Sequence, residues 1–169
     1  AMSPFVRLEV GRARNAPYVS MALSSVVHDH LQENEMLARY LDNRPRSVRC
    51  VHPLVTLLEK LDAMIRRYSR VDIQADAFVR HYEDGAQIVA AIDRFPQIEM
   101  TVDELIADMI GTRDLKHKPS QDEPALHLED SQKRAAVEEA YNKINPMFWG
   151  DRIALDDACS AIRDWLATL

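Results

Sequence analysis

The sequence predicts an α+β protein that is mainly helical, and three observations lead there. Apolar residues recur at steps of three and four over several stretches, most clearly between His52 and Ile92. Glycine is scarce, at 4 of 169 residues, and aromatics are 7%, while Ala, Leu, Arg and Glu are plentiful, which favours helix. Strand patterns are short and confined to the first third of the chain. Hydrophobic content of 47% beside 28% charged residues is ordinary for a globular protein long enough to bury a core.

Phe5 to Val10 alternates Phe5, Arg7 and Glu9 against Val6, Leu8 and Val10, a strand pattern. It opens without lead-in, so the sequence is expected to begin in the middle of a domain. Gly11 to Asn15 forms a turn, and Tyr18 to Ala22 a second strand after Pro17. Ser24 or Ser25 caps a helix through Val26, Val27 and Leu31, extending towards Leu41. His28 and His30 lie within it; on a helix their rings diverge by about 200° and cannot share a metal. Asp42-Asn43-Arg44-Pro45 breaks that helix, and Ser47 to Val51 reads as a third short strand.

Pro53 then opens the longest helix, which runs to Ser69. Leu54, Leu57, Leu58, Leu61, Ile65 and Tyr68 make one apolar stripe, with Glu59, Lys60, Asp62, Arg66 and Arg67 beside or opposite it. Asp72 or Asp76 is expected to cap the next helix, whose stripe is Phe78, Tyr82, Ala86 or Gly85, Val89 and Ile92. Phe95-Pro96 closes it. The two helices are expected to pack as an antiparallel pair. Thr101-x-x-Glu104 is a capping box for a short helix through Val102, Leu105, Ile106 and Met109, ending at Gly111.

Residues 112–129 are polar, hold two prolines and show no period, so they read as a long loop. Asp130 or Ser131 caps a helix through Val137, Ala140, Tyr141 and Ile144. An aromatic turn at Pro146 to Gly150 follows, then a last helix with Ala158, Ile162, Trp165, Leu166 and Leu169 on one face. Tyr68, Tyr82, Trp149 and Trp165 are expected in the core.

Net charge is −6, so no global basic field draws the chain to nucleic acid. Arginines and lysines cluster at Arg44/Arg46/Arg49, at Lys60/Arg66/Arg67/Arg70 and at Arg113/Lys116/Lys118. They form either solvated faces balanced by nearby acids or a local phosphate-reading groove. Cys50 and Cys159 stand far apart and read as reduced, buried thiols. No apolar run approaches the roughly 20 residues of a bilayer span, and residues 1–10 lack the hydrophobic block of a signal peptide. The expectation is a cytoplasmic protein with no membrane partner.

Thr56-Leu57-x-Glu59-Lys60-Leu61-x-Ala63-x-x-Arg66-Arg67, followed by Arg80-His81-Tyr82-x-Asp84, resembles the third and fourth motifs of the AbiEii/AbiGii toxin family. These are nucleotidyltransferase-like enzymes of bacterial toxin–antitoxin and phage-defence systems. The tail is similar as well: His117-Lys118, a prolyl loop, a helix ending in a Met147-Phe148 turn and an acidic-capped terminal helix. The resemblance implies the C-terminal part of a polymerase-β-like nucleotidyltransferase. Residues 1–52 would be the remainder of its sheet with one helix, and 53–169 a helical C-terminal region.

In such enzymes a hydroxyl displaces pyrophosphate from a nucleoside triphosphate, with Mg²⁺ held by clustered carboxylates. The resemblance implies that Lys60 contacts the phosphates, that Asp84 orients Lys60 or reaches a metal through water, and that Arg67 and Arg80 help hold the nucleotide. Glu9 matches a third carboxylate. Plainer readings stand beside each: Lys60 solvated on a helix flank, Asp84 paired with Arg80, Glu59 paired with Arg66 or bracing a neighbouring helix, and Glu9 on a surface strand. Arg80 and His81 either touch substrate or are structural, and Lys118 either approaches the acceptor or is solvated. No Gly-Ser turn or D-x-D pair occurs, so the metal-binding half is expected to be missing and the fragment alone inactive. The complete protein would use Mg²⁺ and an NTP, with tRNA as a candidate acceptor and a cognate antitoxin as partner. The competing function is a non-catalytic helical module that binds RNA or protein.

Overall fold

A computed structural model describes residues 14–42, 44–148 and 150–169. Phe5–Val10 with Glu9, the Gly11 part of the first turn, and Trp149 lie outside the described residues. The chain divides into two compact units, Ala1–Val51 and His52–Leu169. Together they are mainly helical with one small sheet, an α+β protein.

In the first unit, strands β1 (Tyr18–Met21) and β2 (Val48–Val51) pair antiparallel, with Tyr18 opposite Val51 and Met21 opposite Val48. The Arg49 guanidinium lies over the Tyr18 ring, 4.8 Å from its centroid. Helix α1 (Val26–Glu33) starts at Ser25, whose hydroxyl accepts from the His28 amide. It does not continue to Leu41. Asn34 turns its amide onto the His30 carbonyl, Glu35 takes a left-handed φ of 55°, and only a 3₁₀ turn at Leu37–Arg39 follows. The His30 carbonyl thus accepts from both the backbone and the side chain of Asn34, and the Leu31 carbonyl accepts from the Met36 N–H, an ending that apolar spacing does not reveal.

The second unit is built on α2 (Pro53–Tyr68) and α3 (Arg80–Ala90), with α7 (Leu155–Leu166) packed along α3. Pro53 sits at the first turn of α2, and His52 caps it by accepting from the Leu54 amide at 3.2 Å. The His52 ring also reaches the Pro96 carbonyl at 3.0 Å, tying the start of α2 to the segment after α3. Leu57, Leu61 and Met64 of α2 meet Phe78, Tyr82 and Ala86 in a solvent-free core. At Gly85 a β-carbon would stand 3.0 Å from Ile162 Cδ1, so glycine lets α7 come close to α3. Helix α3 starts from a 3₁₀ turn at Ala75–Ala77 and has no side-chain cap at Val79, against the expected caps at Asp72 or Asp76. The preceding turn already supplies a helical lead-in, which removes the need for one.

Helix α4 (Val102–Gly111) begins with the expected capping box, Thr101 and Glu104 bonding each other's backbone amides. The supposed loop 112–129 holds a one-turn helix, α5 (Pro124–His127), and Leu115, Ala125, Leu126 and Leu128 are buried. One turn is too short to show a period, and side chains satisfy its backbone: Tyr82 Oη donates to the Ala125 carbonyl and Arg163 to that of Leu126. Leu128 buries its side chain at a left-handed φ of 53°. Asp130 caps α6 (Ser131–Lys143), and Lys133 from that helix donates to the terminal carbonyls of Tyr68 and Arg70, both at 2.9 Å. An ammonium there also suits the negative end of the α2 dipole. Tyr68 and Tyr82 are core residues and Trp165 is half-buried against the edge of that core. Both thiols are free; Cys159 is buried, which pushes its pKa up to about 12, whereas Cys50 is only half-buried. Among the described residues no helix is long and apolar enough to cross a membrane.

Candidate functional site

Lys60 and Asp84 sit on facing flanks of α2 and α3, just outside the apolar seam of Leu57, Leu61, Tyr82 and Ala86. The ammonium donates to Asp84 Oδ2 at 2.6 Å, with the two side chains 22% and 33% exposed. Residues far apart in sequence therefore meet, and Asp84 forms no ion pair with Arg80. Partial exposure limits the pair's worth to the fold to about 1 kcal/mol or less.

His81, one turn before Asp84, completes the cluster. Its Nδ1 is 3.9 Å from Asp84 Oδ2, too long for a hydrogen bond but near enough for its polarity to act on the carboxylate. The His81 ring, and after it the Lys60 ammonium, hold the Asp84 carboxyl down at about 2, against burial that pushes the other way. Arg67 donates to the Ala77 carbonyl at 2.8 Å and lies 3.5 Å from His81 Nε2. It therefore braces the entry to α3 from two turns along α2. Arg80 is exposed.

Other expected cations are engaged elsewhere. Arg44 and Arg46 both bind Asp42, whose carboxyl is held far below its usual range by Arg44. Arg66 binds Asp62, a buried carboxylate that also accepts the Lys116 amide. Lys118 donates to Asp103 and to the Leu169 carbonyl. So Arg44, Arg46, Lys60, Arg66 and Lys118 are each balanced by a nearby acid. His28 accepts or donates at Ser24 Oγ while His30 meets Asn34. Among the described residues no group of three His, Cys, Asp or Glu could hold a metal ion.

Four hollows of the second unit lie apart from the pair. One of about 560 Å³ is bordered by Ile73, Asp76, Ala136 and Lys143, and one of about 520 Å³ by Tyr68, Asp122, Glu129 and Lys133. Smaller ones open beside Phe95 and beside Arg152. None of these four touches Lys60 or Asp84.

Sequence reasoning missed the buried cluster behind Asp84. Glu83, 3% exposed, pairs with Arg152 and accepts from Tyr141 Oη at 3.2 Å. Arg152 is held between the Tyr141 and Phe148 rings. This cluster ties α3 to Tyr141 of α6 and to Arg152. Its partners are 69 positions apart and follow no local spacing, so nothing in the sequence flagged them. No family model, no curated protein and no solved structure matches the chain.

Proposed function

We propose that this chain is the C-terminal portion of a nucleotidyltransferase resembling the AbiEii/AbiGii toxins, and that Lys60 and Asp84 are its contribution to the site. The observation that carries the reading is the 2.6 Å contact between the two residues that the motif resemblance singles out, brought together by separate helices. In the transfer, an acceptor hydroxyl attacks the α-phosphorus of a nucleoside triphosphate. A P–O bond forms to the acceptor, the bond to pyrophosphate breaks, and the hydroxyl proton is lost. Lys60 would leave Asp84 to meet the phosphates, for which a compact ammonium on a flexible stem is suited. Asp84 would hold that ammonium in readiness. Arg67 supports α3 through the Ala77 carbonyl beside the nucleotide, and Arg80, exposed, remains open to contact substrate.

The described residues do not fit Mg²⁺, so no step is assigned through a metal held by them. In this reading the ion is held elsewhere in the complete protein, with Glu9 as one candidate ligand. This portion alone is then inactive. An RNA acceptor such as tRNA and a cognate antitoxin complete the proposal.

A second reading, a helical module that binds RNA or protein without catalysis, is favoured by one observation. Lys60 is already neutralised, and the hollows named above lie away from it. The complete protein separates the two. Lys60→Ala and Asp84→Ala should each lower nucleotide transfer and growth inhibition by at least about 100-fold while circular dichroism stays unchanged. Intact growth inhibition in both variants would sink the transferase reading. A Gly-Ser…D-x-D stretch upstream in the same reading frame supports it, and a translation start at Met2 supports the module.

A further inference from the structure

His81 faces both sides of the candidate site. Its Nε2 lies 3.5 Å from Arg67 Nη1. A guanidinium only donates, so Nε2 must accept and the ring proton belongs on Nδ1. That Nδ1 is buried and has no hydrogen-bond partner. It is directed at Asp84, 3.9 Å from the same Oδ2 that binds Lys60 at 2.6 Å.

A buried N–H without an acceptor is costly, and here it stands within a small side-chain movement of a carboxylate. Once an anion draws Lys60 away, a partly buried carboxylate is left without its cation, which favours protonation. Of the groups around Asp84, Lys60 and Arg67 come from α2 and His81 from α3. Arg67 is occupied by the Ala77 carbonyl, which leaves His81 as the donor at hand.

We propose that His81 is a positioning residue: a neutral, Nδ1-protonated imidazole that takes over the Asp84 carboxylate when an anionic group draws Lys60 away. That the anion is the triphosphate of a nucleotide rests on the transferase reading; the exchange of partners does not. The low Asp84 pKa agrees, since His81 contributes most to it.

The test uses the 169-residue chain and no nucleotide. Histidine ¹⁵N spectra should show His81 as the Nδ1–H tautomer, and side-chain ¹³C shifts report the titration of Asp84. In Lys60→Met, the Asp84 midpoint should remain below 3.8, because His81 has replaced the ammonium. Adding His81→Leu should lift it above 3.8, since burial then acts alone. His81→Asn places an N–H where Nδ1 stood and should keep the midpoint low in the Lys60→Met background. His81→Gln, whose amide matches Nε2, should not. That Asn/Gln contrast carries the test if the leucine variant does not fold. An Nε2–H tautomer overturns the proposal, as does an Asp84 midpoint in Lys60→Met that His81 substitutions leave unmoved. Loss of transfer activity is not read in this experiment, so failure of the transferase reading would leave its result standing.

Discussion

In Ala1–Val51, Val19 and His28 are the buried residues among those described, while Tyr18, Met21, Leu23, Val26, Val27, Tyr40 and Leu41 are largely exposed. Among the described residues of His52–Leu169, the large apolar side chains left exposed are Val71, Ile110 and Met147. Local structure is well formed in both units, with capped helices and a registered strand pair. Burial differs. Among the described residues of the first unit, a strand pair and one short α-helix bury little apolar surface. The second unit closes an apolar core across five helices, and it is this core that fixes where Lys60 and Asp84 meet. Cap and turn chemistry can therefore shape a segment without stabilising it; packing decides the rest.

That contrast can be broken at several strengths. Phe78→Ala removes a ring from a site with 0% exposure and should cost about 4 kcal/mol in urea unfolding of the chain. Arg152→Ala leaves Glu83 buried without its cation and should cost about 3 kcal/mol, again by urea unfolding. Lowering the pH gives a smaller effect with a defined sign. The Asp84 carboxyl is depressed in the fold, so its contribution is present above pH 3.8 and is lost as pH falls towards 2. A plot of stability against pH should show that loss in the wild type, and a weaker one in Lys60→Met. Smallest of all, Val26→Ser and Leu41→Ser should shift stability by no more than about 0.5 kcal/mol. A loss comparable to that of Phe78→Ala would mean that these side chains are covered in solution, and the contrast between the units would fail.

Much of this was legible because the signals are local. Pro53, the stripe Leu54 to Tyr68, the Thr101–Glu104 box and the caps Ser25 and Asp130 each act within a few positions; the first three stand where the sequence placed them, and each cap is one of two adjacent candidates. The errors share a cause. Helix α1 ends early because Asn34 caps it, α5 is too short to carry a period, and α3 needs no side-chain cap after a 3₁₀ turn. Lys60 and Asp84 were singled out by motif, whereas Glu83–Arg152 had no motif and no spacing to show it.

Leu128 has a practical meaning for anyone stabilising this protein by substitution. Putting glycine at left-handed positions is a standard way to relieve backbone strain, and Arg113, exposed at a φ of 66°, suits it. Leu128 does not. There the awkward backbone is what delivers an isobutyl group into the core, so glycine would ease a dihedral angle and open a void. Conformational comfort and interior filling are opposed at that residue, and a design rule that weighs only the first would choose wrongly.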